Sequence, residues 1–245
     1  MSLSNQVVII TGGAAGQGAS HVRRCVAEGA RVVFGDVQVS AGEALAAELG
    51  DNAVFVEHDV SSESGWETIV ATAVDRFGGI DGLVNNAGIH HVTMVADESV
   101  ERLRKLHEVN VVGPFLGFKA VLPQLKQRGA GSVVNICSLA AAQPWPGYTA
   151  YAASKWALRG MTHVWAQEHG PDNIRVNAIL PGAIEETTMY QRPDDPQDFD
   201  AAMQGIPLRR PGTPADVSEL VVFLLSAQSA YITGADLPID GGLSA

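Results

Sequence analysis

With 245 residues, 46% of them hydrophobic, the chain is long enough to bury a full core, as one large domain or two small ones, without disulfide staples. Its 27 acidic against 16 basic side chains leave a net charge of -11, and no Lys or Arg cluster exists beyond the pairs Arg23-Arg24 and Arg209-Arg210, which argues against nucleic acid or anionic membrane as a partner. Two cysteines, Cys25 and Cys137, are too few for a disulfide framework or a zinc site and read as small buried side chains of a reducing compartment.

No basic stretch precedes the short apolar run Val7-Ile10, and no later run nears the ~20 residues of a spanning helix, so the expectation is a soluble, cytoplasmic protein. From Gln6 to Thr11 a β-branched run predicts a first strand, followed by the Gly-rich turn Gly12-Gly18 and a helix to about Glu28, stopped by Gly29. Ala30-Asp36 reads as the next strand, Ala41-Leu49 as a helix ending at Gly50, and Ala53-His58 as a third strand. Trp66, Ile69, Val70, Ala73, Val74 and Phe77 match the helical spacing up to Gly78. Ile80-Asn85 and Ser132-Ile136 are continuous apolar runs, as strands buried on both faces in a parallel sheet should be. Val111-Leu122 and Ala152-Trp165 predict helices apolar on more than one face, needing cover from the sheet and, on the far side, from a second subunit or the chain's own loops. Val217, Leu220, Val221, Leu224 and Leu225 form one late apolar stripe, and Ala235-Ile239 a last strand. Between them Glu185-Pro214, rich in proline, reads as a surface flap. Alternating strands and helices without a break in composition predict one α/β domain over residues 1–245 with a parallel sheet.

The Gly-rich turn after the first strand offers chemistry. Gly12 permits the tight turn, and Gly16 and Gly18 let backbone approach a pyrophosphate at the helix N-terminus, where free N–H groups and the dipole favour an anion; an ordinary strand–helix turn has the same look. Asp36 separates the readings. An acid closing the second strand accepts hydrogen bonds from adenosine ribose hydroxyls and repels a 2′-phosphate, and the neighbouring Gly35, Val37, Ala14 and Ala15 offer no cation, so the expected cofactor is NAD over NADP.

Tyr151-Ala152-Ala153-Ser154-Lys155 puts a phenol and an ammonium four residues apart on one helix face. A phenol with a pKa of ~10 needs a shift of about three units, or ~4 kcal/mol, to serve as a base at neutral pH. A cation at ~4 Å in a partly screened site is of that size. Alone, this pair is common. Here it follows, in order, the Gly-rich turn, Asn85-Asn86-Ala87-Gly88, Asn110 and Ser138, and precedes Arg175-Val176-Asn177, Pro181-Gly182, Thr233-Gly234 and Asp240-Gly241-Gly242. From Val7 to Gly242 the chain resembles the short-chain dehydrogenase/reductase family, and looks most similar to its bacterial hydroxysteroid dehydrogenases.

The resemblance implies a Rossmann-type, doubly wound parallel sheet with helices on both faces, and a homo-oligomer, a tetramer above all. It makes Tyr151 the general acid/base, Lys155 the residue that lowers its pKa and holds the nicotinamide ribose, and Ser138 the partner of the substrate oxygen. Asn110 would anchor a water in a relay to Lys155. Asp59-Val60 would contact adenine, Asn86 the adenosine and Ile184 the nicotinamide carboxamide. Backbone of Gly12, Ala15, Gly16, Gln17 and Gly18 would form the phosphate loop. Thr187 is a doubtful cofactor contact, because the segment Glu185-Met189 is stretched by one residue, and Gln17 and Cys137 also depart from the family pattern. Pro114, four residues after Asn110, removes a helical partner from the Asn110 carbonyl and thereby either frees an acceptor for that water or merely kinks the helix.

Gln143, Trp145, Tyr148, Ile184, Met189 and Tyr190 make up the expected pocket wall, with Trp145 and Tyr148 beside Ser138 and Tyr151 as substrate contacts and His90-His91 at the mouth as solvated loop residues. No acid or Cys partners those histidines, so no metal is expected. A mostly apolar, aromatic wall suits a hydrophobic secondary alcohol or ketone, such as a steroid or cyclic terpenoid. The competing readings are a 3-oxoacyl-carrier-protein reductase, which usually wants NADPH and basic surface for its acidic carrier, and a non-catalytic NAD-binding sensor, which would tolerate loss of Tyr151 or Lys155. A dehalogenase on the same scaffold typically lacks the nicotinamide site, and the intact Gly12-Gly18 turn speaks against that reading.

Overall fold

A computed structural model describes residues 2–185 and 204–245. Seven parallel strands run in the order β3-β2-β1-β4-β5-β6-β7, namely β1 Val7–Thr11, β2 Arg31–Asp36, β3 Ala53–Glu57, β4 Gly82–Asn85, β5 Gly131–Ile136, β6 Ile174–Pro181 and β7 Asp236–Ile239. All but the outermost are buried nearly throughout, which is why their sequences read as unbroken apolar runs. The doubly wound parallel α/β architecture expected from the sequence is the one observed.

Alternate side chains sort onto two faces. Val8, Ile10, Phe34, Val84, Val134 and Ile179 pack beneath α1 (Gly16–Ala27), α2 (Val39–Leu49) and a late helix, Pro214–Leu225, numbered α7 below. Val7, Ile9, Val33, Leu83, Val133 and Val176 pack beneath α3 (Glu63–Phe77), α5 (Gly113–Arg128) and α6 (Thr149–His169). A polar helix, α4 (Val100–His107), leads into a π turn over Glu108–Val112.

Local chemistry places the helix ends. Ser62 Oγ accepts from Gly65 N–H to cap α3, Ser99 does the same for α4 through Arg102 N–H, and Thr213 with Asp216 forms a capping box on α7. Gly78 ends α3 in the left-handed conformation at φ 82°. The expected helices and strands are present, and one strand the periodicity did not reveal, β6, lies under the Arg175-Val176-Asn177 motif. Strand order reverses between β1 and β4, so the loops after these strands splay apart at the carboxyl edge of the sheet and open a crevice there.

Candidate active site

That crevice is a cleft of about 920 Å³ lined by Gly12, Asp36, Asp59, Ser138, Tyr151 and Lys155 among others. On its β1 side the turn is locked from behind. Thr11 Oγ1 accepts the backbone N–H groups of Asn86 and Ala87 at 3.1 and 3.0 Å, and Asn86 Nδ2 donates to the carbonyls of Thr11 and Gly12 at 2.9 and 3.1 Å. Gly12 has φ +63°, and a Cβ there would lie 2.8 Å from Ala87 Cα.

Two expectations change here. Gly18 is required by packing whatever lies in the cleft, since a side chain would run into the Gly12 carbonyl. The Asn86 amide nitrogen is committed to the turn, so its contribution to an adenosine site is to hold that turn in place.

A dinucleotide fits what remains. The N-cap of α1, Ala15, offers no capping side chain, and the first turn holds no acid, so its N–H groups are left for an anion. Ala15, Gly16, Gln17 and Gly18 line the floor. Asp36 is buried, with Oδ2 accepting Ala14 N–H and Oδ1 accepting Gln38 N–H, both at 3.0 Å. Two backbone donors fix the carboxylate and leave it lone pairs for hydroxyl donors. Asp59 and Val60, just past β3, line the far end; Asp59 Oδ1 accepts Ser61 N–H and Oγ–H, which hold its carboxyl below the usual range, and Val60 O accepts Trp66 Nε1–H at 2.9 Å.

On the β5 side, α6 carries Tyr151 and Lys155 into the cleft, 4% and 2% exposed. Lys155 Nζ donates to the Ile136 carbonyl at 2.9 Å and sits 5.8 Å from the Tyr151 ring centroid. Burial pushes the phenol above its ordinary pKa, against an opposing hydrogen bond with Ser138, and pushes the Lys155 ammonium below its own. The expected balance is therefore corrected. The ammonium is held by a carbonyl, and desolvation of the buried phenol outweighs any pull that the lysine exerts on it.

Asn110 is wholly buried in the π turn, immediately before Gly113-Pro114. Its Oδ1 accepts Ile89 N–H at 2.9 Å, while Nδ2 donates to Ile89 O at 2.9 Å and Ser154 Oγ at 3.0 Å. The side chain thus ties the loop after β4 to α6, and any part in a water relay falls to its main-chain carbonyl. Gly88 leaves space at the same point, because a Cβ there would lie 3.3 Å from both Asn110 Oδ1 and Lys155 Nζ.

An aromatic wall completes the cleft. Trp145 and Tyr148 stand 5.8 Å apart and Tyr148 and Tyr151 6.1 Å, centroid to centroid. His90 is no solvated bystander: its ring meets Tyr151 at 4.6 Å and 90° and Tyr148 at 5.3 Å. His91 turns away to Arg102, and Gln143 is not part of the lining. Ile184 lines the cleft from a bridge to Gly212, with Glu185 N–H donating to Gly212 O and Gly212 N–H to Ala183 O, both at 2.9 Å. Leu243 also reaches the cleft, on a C-terminal turn in which Asp240 accepts Gly242 and Ser244 N–H, both at 2.9 Å. Neither His90 nor Leu243 carries a sequence signal beyond adjacency to a glycine motif. Thr187, Met189 and Tyr190 lie outside the described residues.

A family model described as enoyl-(acyl carrier protein) reductase matches residues 12–244. Relatives align over nearly the whole chain. A 3-alpha-(or 20-beta)-hydroxysteroid dehydrogenase of Mycobacterium bovis is 43% identical over 98% of this chain and 90% of its own. The chain belongs to the short-chain dehydrogenase/reductase family. Other members are a trans-4-hydroxycyclohexanecarboxylate dehydrogenase of Sinomonas cyclohexanicum, 39% identical over 99% of this chain and 94% of its own, and a cyclopentanol dehydrogenase of Comamonas testosteroni, 37% identical over 99% and 98%. As in that family, the carboxyl edge of the sheet brings Ser138, Tyr151 and Lys155 into one cleft, and the chain is an oxidoreductase of the dehydrogenase kind. Among the described residues, no helix is long and apolar enough to cross a membrane.

Proposed function

We propose that the protein interconverts hydrophobic cyclic secondary alcohols and their ketones with NAD. A buried phenol, hydrogen-bonded to Ser138 and backed by Lys155 in an aromatic-walled cleft, carries this reading. Bound NAD would supply the hydride acceptor. Asp36, fixed by two backbone N–H groups, would take the adenosine ribose hydroxyls and exclude a 2′-phosphate. Lys155 would hold the nicotinamide ribose and Ile184 face the carboxamide. Ser138 Oγ would hydrogen-bond the substrate oxygen, and Tyr151 Oη would take its proton, with Trp145, Tyr148 and His90 enclosing the apolar body. Asn110, by pinning Ile89 to Ser154, would hold the relay from Lys155 in place.

Similarity to hydroxysteroid, cyclohexanecarboxylate and cyclopentanol dehydrogenases supports the substrate class. Phe115, Trp156 and Val164, 47, 50 and 54% exposed on α5 and α6, support assembly through those helices, with a tetramer favoured. Free, buried Cys25 and Cys137 support a cytoplasmic setting. The test is a panel of steroid, cyclic and aryl alcohols and ketones with both dinucleotides. Turnover of cyclic secondary alcohols with NAD is expected; turnover of acyl-carrier thioesters with NADPH alone would refute the reading.

A further inference from the structure

Ser138 sits in a segment that is gripped at both ends by the helix carrying Tyr151. Upstream, Lys155 Nζ donates to the Ile136 carbonyl at 2.9 Å. Downstream, from the next turn of α6, Arg159 Nη1 donates to the Ala141 carbonyl at 2.7 Å. Between these carbonyls the chain closes on itself. Ser138 Oγ accepts Ala140 N–H at 3.1 Å and Ser138 O accepts Ala141 N–H at 2.9 Å, so residues 138–141 form a single hydrogen-bonded turn. Ala141 is fully buried, and Arg159 supplies its carbonyl with a donor.

The guanidinium is itself fixed. Its Nε donates to Asp236 Oδ2 on β7 at 2.8 Å, its Cζ lies 5.0 Å from the Trp156 ring centroid, and His163 Nε2 lies 3.0 Å from the other Asp236 oxygen. The Arg159 and Asp236 side chains are 26 and 19% exposed, so the pair is shielded from much of the screening that weakens surface ion pairs. A tie between α6 and β7 needs only the Nε bond. Reaching Ala141 as well takes a planar cation with donors on separate edges. Tyr151, Lys155 and Arg159 follow one another at intervals of four residues, so the helix that carries the phenol also sets where the Ser138 turn stands against it. Resting on the reading above that Ser138 binds the substrate oxygen, we propose that Arg159, held by Asp236, is a positioning residue that fixes Ser138 against Tyr151 for the reaction. Arg159 acts through the turn, since it does not line the cleft.

Arg159→Met removes both donors. Arg159→Lys keeps a cation for Asp236 but cannot serve both acceptors. In steady-state kinetics with a cyclic secondary alcohol and NAD, both variants should lose about 10- to 100-fold in kcat, the size of a displacement of about 1 Å, with KM and calorimetric NAD affinity within about threefold of wild type. In thermal melts Arg159→Lys should stay closer to wild type than Arg159→Met, because Asp236 keeps its partner. Crystals of wild type and Arg159→Lys should show the turn over 138–141 shifted away from Tyr151 in the variant. Full kcat with lysine is what a purely structural ion pair predicts, and it would overturn the assignment. So would full kcat with methionine, a loss of NAD affinity as large as the loss of kcat, or a turn that has not moved. Should Arg159→Met fail to fold, Arg159→Lys decides alone. Wild-type protein that turns over no secondary alcohol would overturn the substrate reading instead, and the crystallographic comparison would still judge the clamp.

Discussion

From β1 to β3 the cleft is walled by backbone. Gly12, the exposed N–H groups of α1 and a carboxylate held by two main-chain donors present a surface whose shape follows from strand register. From β4 to β6 it is walled by side chains, with Tyr151, Lys155, Tyr148, Trp145 and His90 meeting from the loop after β4 and from α6 and the loop before it. The first wall suits a ligand with an invariant skeleton. The second can be retuned one residue at a time without disturbing the sheet, which is where substrate choice resides in such folds.

The sharpest way to break this division is at the phenol. Tyr151→Phe should lower kcat about 10²- to 10⁴-fold, the usual worth of a general acid/base, with NAD affinity kept, as measured by steady-state kinetics and calorimetry. Equal loss of both would mean that the two walls are one unit. Because burial holds the phenol high, alcohol oxidation by the wild type should keep accelerating as pH rises into the alkaline range.

Acid tests the backbone wall from behind. His21 is buried between α1 and α7, with Nδ1 at 2.8 Å from Ser218 Oγ, which itself donates to Pro214 O at 2.9 Å. Burial keeps the imidazole neutral and depresses its pKa to about 3; His58, under the Asp59 end of the cleft, is depressed to about 4. Unfolded chains take these protons near pH 6.5, whereas the folded chain refuses them until pH is far lower. Stability is thus full above pH 6.5 and falls as pH drops below it. For His21 the loss is about 1.4 kcal/mol per pH unit, so about 3 kcal/mol by pH 4, checked by urea unfolding at pH 7 and 4. His21→Gln should flatten part of that slope; an unchanged slope would acquit His21.

Cofactor choice comes next in size. Asp36→Arg should shift the NAD-to-NADP ratio of kcat/KM toward NADP about 10- to 100-fold, since the substitution removes a repelling carboxylate and brings a phosphate partner. Because Asp36 also receives Ala14 and Gln38 N–H, weaker binding of both dinucleotides is expected alongside.

The same division explains what the sequence disclosed. Continuous runs such as Val7-Val8-Ile9-Ile10 and the glycine stops at Gly29, Gly50 and Gly78 are local signals, so the sheet, most helices and the Gly-rich turn were legible. β6 was legible only as a motif, its strand starting straight after a left-handed turn at Asn173. Helix α4 is only eight residues long, and its apolar stripe of Val100, Leu103 and Leu106 is too short to stand out between charged neighbours. Ser138, Tyr151 and Lys155, which motif order named, line one cleft, but motif order is silent on distance and dielectric. The carbonyl that holds Lys155, the double duty of Asn86 and the packing role of Gly18 are all consequences of tertiary contact. His90 was misread for the same reason, because only the folded loop after β4 turns its ring onto Tyr151.

His90 is the mildest and most discriminating probe of the side-chain wall. Its ring covers one edge of the phenol and touches Tyr148, so its removal widens the pocket while leaving Ser138 and Lys155 in place. His90→Ala should raise KM for cyclic alcohols a few-fold, as lost contact with an aromatic side chain is worth about 0.5–1.5 kcal/mol, and should spare NAD binding. Bulkier ring systems should lose less than small ones, because they fill the space vacated. Should kcat fall instead with KM unmoved, the imidazole would be acting on the phenol's proton rather than on the substrate's shape, and the wall of side chains would extend into the chemistry itself.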